Sequence, residues 1–137
     1  MFSIFLDVRP TEPIPDGGGA AAAEAILRAS YRIVFSTLRE HRRLARLLFE
    51  EAVGLDKGFS EALSTHYRAW HGRVRGTLDG FRENGSARGD LDSEMTAEMV
   101  LGTVERLARR HLFAERAPDL DRIIDAVVAL EMRGIGR

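Results

Sequence analysis

The chain has 137 residues, 45% of them apolar and 30% charged, with a formal net charge of −1. This is the composition of one ordinary globular domain, and it lacks the basic excess of a dedicated nucleic-acid binder. Cysteine is absent, which excludes disulfides, zinc ribbons and thiol catalysis, and no run approaches the roughly 18 apolar residues of a membrane helix.

Residues 1–8 are apolar but short, and fit either a short strand or the last turns of a helix. They carry no basic n-region and are interrupted by Asp7, which argues against a signal peptide. Pro10, Pro13 and Pro15, followed by Gly17, Gly18 and Gly19, make a linker. The expected organisation is therefore an N-terminal segment and linker over 1–19, then one domain over 20–137.

The first helix is expected over 20–39. Ala20 to Ala23 supply propensity, and Leu27, Tyr31, Val34 and Leu38 step by 4, 3 and 4. Ile26, Ile33 and Phe35 widen that stripe. A corner is expected around His41, then a second helix over 44–53 that stops at Gly54. The third element is the longest. Phe59, Leu63, Tyr67, Trp70, Val74, Leu78 and Phe81 recur at steps of 4, 4, 3, 4, 4 and 3. They make one apolar stripe, and at ~1.5 Å per residue the helix spans about 39 Å. Asp56 is its expected N-cap and Asn84–Gly85 its stop. In the loop that follows, Gly89 is expected to take a positive φ.

Asp92 caps a fourth helix over 93–113, apolar on more than one side. Pro118 or Asp119 opens a fifth, which runs to about Met132. Leu120, Ile123, Ile124, Val127, Val128 and Leu130 give it a wide apolar face. The fold class is thus all-α, a five-helix bundle.

Three stretches carry a family resemblance: LARLLFEEAVGLD at 44–56, leading into the long helix, FRENGSARGDL at 81–91, and LARRHLF at 107–113. In that order they resemble the C-terminal effector and dimerisation half of the tetracycline-repressor (TetR) family of bacterial transcription regulators, over residues 20–132. The resemblance implies a ligand-sensing, homodimeric domain that dimerises through its last two helices and works in the cytoplasm. It also implies DNA contact only through an N-terminal helix-turn-helix, which has no counterpart in these residues. The chain is therefore expected not to bind an operator itself. A stand-alone protein that dimerises with full-length relatives is the alternative reading.

The two wide-faced helices suggest the dimer interface, with Val100, Val104, Leu107, His111, Ile123, Ile124, Val127 and Val128 as its residues and Gly102 permitting close approach. A pocket for a small apolar or aromatic effector is expected among Tyr31, Phe35, Phe49, Tyr67, Trp70 and Met99, with His66, His71 and Thr103 as polar contacts. Met95 and Met99 suit a tolerant lining. His66 and His71 are five residues apart, so they do not share a helix face as metal-binding i, i+4 pairs do, and no metal or other cofactor is expected. Arg39, Arg42, Arg43 and Arg46 read as a solvated face. No nucleophile–base pair, phosphate loop or nucleophile elbow appears, so enzymatic activity is not expected.

Overall fold

A computed structural model describes residues 19–47 and 57–136. Among them are five α-helices and no strand: α1 Ala20–Glu40, α2 Arg42–Arg46, α3 Lys57–Glu83, α4 Ser93–Leu107 and α5 Leu120–Ile135. A π-helical turn, Ala108–Leu112, continues α4. The all-α expectation holds. Residues 1–18, the second half of the expected 44–53 helix, Gly54 and the Asp56 cap lie outside the described residues, as do the side chains of Phe59 and Leu63.

Helix α1 starts without a side-chain cap and relies on the alanine run. It buries Ala23, Ile26, Leu27, Tyr31, Phe35 and Leu38. At His41 the backbone leaves helical geometry (φ −106°, ψ 35°), and α2 begins at the next residue. The corner therefore falls at His41, where it was expected.

Helix α3 ends at Glu83, and Gly85 then takes a φ of 81°. Among the described residues this is where the positive φ lies, and Gly89 does not share it. The chain must reverse directly after the last helical turn, and a glycine there adopts the left-handed region without a Cβ penalty. Asn84 fixes the turn by accepting from the Ser86 amide at 2.9 Å. The Ala87 amide returns to the Phe81 carbonyl at 2.9 Å.

Asp92 and Asp119 are N-caps. Their carboxylates accept from the amides of Met95 at 3.0 Å and Arg122 at 3.1 Å. Each satisfies one of the orphan donors at a helix start. α5 runs three residues beyond the expected Met132 and stops at Gly136. There the chain meets the loop after α3: Ala87 and Gly136 form an isolated antiparallel bridge, and the Arg88 amide donates to the Ile135 carbonyl at 2.9 Å.

The expected 93–113 helix is α-helical only to Leu107. At the π-turn the Phe113 amide bonds to the Ala108 carbonyl, five residues back, at 3.0 Å. The wider turn brings Ala108, Leu112 and Phe113 all into the interior.

Two helix pairings organise the bundle. α3 and α4 form a hairpin, and α1 packs along α5 and the π-turn. Arg28 pairs with Asp125 and Arg32 with Asp121, both at 2.5 Å. Four residues forward on α1 match four back on α5, so these helices are antiparallel. The most deeply buried large side chains are Phe35, Phe81, Leu112, Ile124 and Val128. The core therefore lies between α1, α5, the π-turn and the C-terminal end of α3. The long helix contributes Leu78 and Phe81 to it, while Tyr67 and Trp70 are only half-buried at its edge.

Candidate functional site

The N-terminal half of α3 faces α4 with a mixture of aromatic and polar side chains. Tyr67 and Trp70 meet edge to face, ring centroids 5.8 Å apart and planes at 86°. This geometry sets the positive edge of one ring against the negative face of the other. Burial, followed by a hydrogen bond to Glu105, holds the Tyr67 phenol well above its ordinary pKa, and nearby Arg109 opposes the shift. One turn on, His71 Nε2 donates to the Glu94 carbonyl at 3.1 Å and lies 3.5 Å from the Glu98 carboxylate. His66 is half-buried on the same helix.

Tyr31 and Phe35 stand apart from that group, on α1. Their rings stack at 5.2 Å and 29°, and both are buried in the core. The Tyr31 hydroxyl donates to Glu131 Oε1 on α5. The other oxygen, Oε2, is buried and has no hydrogen-bond partner. Burial pushes the Glu131 carboxyl up to about 7, with the Tyr31 hydrogen bond pulling the other way. Burial, then the charge and hydrogen bond of Glu131, raises the Tyr31 phenol far above its ordinary range.

The expected pocket set therefore divides. Tyr31 and Phe35 belong to the α1–α5 core. His66, Tyr67, Trp70 and His71 line α3. Met99 is 65% exposed, and Thr103 turns back to donate to the Met99 carbonyl of its own helix at 2.9 Å. Phe49 lies outside the described residues. The structure adds Glu131 and Glu105. Glu131 had a visible signal: it stands four residues after Val127 and three after Val128, a carboxylate on the apolar stripe itself.

The expected interface also divides. Val100, Val104 and Leu107 are half-buried against the core, and His111 is exposed on the π-turn. Ile123, Ile124, Val127 and Val128 are between 0% and 9% exposed, because the inner face of α5 is covered by α1 of the same chain. These four side chains line the chain's own core and leave almost no surface for a second chain. Among the described residues, the large apolar side chains turned outward are Met95 and Met99 on α4 and Leu130 on α5. Gly102, exposed on α4, has open space beside it, so within the chain it accommodates no close approach.

Among the described residues no three His, Asp or Glu side chains are grouped to hold a metal ion. Nor is any helix among them long and apolar enough to cross a membrane. No family model matches the chain, and no curated protein or solved structure matches it.

Proposed function

We propose that this chain is the ligand-sensing and dimerisation part of a TetR-like transcription regulator, with DNA contact supplied by a helix-turn-helix module outside it. The reading rests on the resemblance at 44–56, 81–91 and 107–113 and on the order of the helices. The observation that carries the sensing role is the α3–α4 wall. It combines aromatic surface from Tyr67 and Trp70 with polar groups from His71 and Glu105, the mixture that orients a small organic ligand. Met95, Met99 and Leu130 supply apolar surface for a second copy. In a dimer, the ligand acts by binding one arrangement of the subunits more tightly than another.

Thermal-shift measurements with a library of apolar and aromatic small molecules test the sensing role. The expected result is a concentration-dependent rise in melting temperature that disappears in Trp70→Ala. No shift across the library would count against the reading.

A further inference from the structure

Eight arginines fall in two short stretches of the chain, four over 39–46 and four over 106–116, against the two carboxylates Glu40 and Glu115. The chain as a whole carries −1, so these are strongly basic islands in a near-neutral sequence. The sequence sets them far apart, and the fold puts them at one end of the bundle. Arg39 donates to the carbonyls of Leu112, Ala114 and Glu115 at 2.8, 2.5 and 3.4 Å, and Arg42 lies 3.8 Å from the Glu115 carboxylate. The π-turn completes the display. Ala108, Leu112 and Phe113 turn inward, which leaves Arg109, Arg110 and His111 as three consecutive exposed side chains. Arg43, Arg46, Arg106 and Arg116 are exposed as well. The carboxylates that α4 and α5 bring to this end have partners of their own: Glu105 bonds Tyr67, Asp119 caps α5 and Asp121 pairs with Arg32. The C-termini of α1 and α4, at about half a negative charge each, account for one or two of the arginines and not for eight.

We propose that this end of the bundle is a docking surface for the phosphate backbone of double-stranded nucleic acid, engaged without regard to sequence. Guanidinium groups match phosphate oxygens in fork geometry, and several on one surface displace the counterions that a duplex condenses. The chemistry of the rest of this end selects the duplex over other polyanions. The large apolar side chains exposed among the described residues, Met95, Met99 and Leu130, lie in the first half of α4 and late in α5, away from the arginines. A lipid surface would therefore meet charge here without an apolar anchor. Among the described residues no aromatic ring is exposed at this end, so unpaired bases would find nothing to stack on. Backbone contacts position a protein and carry no sequence information. The surface thus complements operator reading by a helix-turn-helix module, and it does not rest on the sensing role of the α3–α4 wall.

Fluorescence anisotropy of the full chain with a labelled duplex of scrambled sequence, roughly 20 base pairs long, tests this. With about four phosphates engaged, affinity is expected to fall about 100-fold between about 50 and about 200 mM salt. The double charge reversal Arg43→Glu, Arg110→Glu takes one arginine from each stretch and should weaken binding at least tenfold, with helicity by circular dichroism unchanged. Arg133, exposed in the last turn of α5 at the opposite end of the bundle, is the control, and Arg133→Glu should change affinity less than about twofold. The salt slope of the wild type reads the contact without any variant. Absence of binding at about 50 mM salt, an equal loss in Arg133→Glu, or a polyglutamate peptide that competes as well as unlabelled duplex would overturn the proposal, the last by assigning the surface to an acidic protein.

Discussion

The Arg39 guanidinium, at the end of α1, donates to the carbonyl of Leu112 at 2.8 Å, where the π-turn finishes. The same nitrogen reaches the Ala114 carbonyl at 2.5 Å, and the other terminal nitrogen reaches the Glu115 carbonyl at 3.4 Å. These oxygens sit where the chain leaves helical geometry, so no further turn of helix satisfies them. One planar, charged fork fastens the first helix to the exit of the fourth.

Arg39→Ala should therefore cost about 2–3 kcal/mol in urea denaturation, the size expected for losing charge-assisted bonds to partly buried carbonyls. Arg39→Lys should recover less than half, since a single ammonium does not reproduce the fork. An unchanged denaturation midpoint in Arg39→Ala would show that the contact contributes nothing.

The two aspartate caps give a second expectation. Asp92→Ala and Asp119→Ala should each destabilise by about 1 kcal/mol, and Asp92→Asn should restore most of the loss. Thermal melts of the three variants check this. If Asp92→Ala melts with the wild type, the Met95 amide is equally well served by water.

Two glycines should respond in opposite directions. Gly76 lies within α3 on its exposed side, with open space around it. Gly76→Ala should raise stability by about 0.5–1 kcal/mol, because alanine loses less chain entropy in a helix. Gly85, at φ 81°, closes the turn after α3. Gly85→Ala should lower stability by about 1 kcal/mol or more, because a Cβ is strained there. Chemical denaturation of the two variants reads both signs.

Stability should also depend on pH through Glu131. Burial raises its folded-state pKa from 4.5 to about 7, so the folded chain holds this proton more tightly than the unfolded chain does. The corresponding stabilisation is present in full below about pH 4.5 and is lost as pH rises through about 7, by about 3 kcal/mol in total. Unfolding free energies from pH 5 to 8 should show this fall in the wild type and not in Glu131→Gln. Parallel curves for the two proteins would assign the slope to other groups.

Much of the architecture was legible because the sequence punctuates it. The stripe from Tyr67 to Phe81 and the Asn84–Gly85 stop set the visible end of α3, and Asp92 and Asp119 announce the helices they cap. The π-turn was not legible. Residues 107–113 continue an apolar helical pattern, and nothing local distinguishes a bond to the fourth residue back from one to the fifth. Which chain covers the face of Ile123, Ile124, Val127 and Val128 was not legible either. An apolar stripe records that something covers it, and here α1 does. For the same reason Tyr31 and Phe35 looked like pocket lining and proved to be core, whereas Tyr67, Trp70 and His71 fall together along α3.

In the proposed homodimer, Met95, Met99 and Leu130 turn apolar surface toward a second copy of the chain. Met99, 65% exposed, can carry a charge without disturbing the core, so Met99→Lys should weaken association and leave the fold intact. The most direct measurement is the solution mass of the wild-type chain at micromolar concentration, by sedimentation equilibrium or light scattering. The prediction is a species of twice the 15.3 kDa chain mass, and a homogeneous 15.3 kDa species would contradict it.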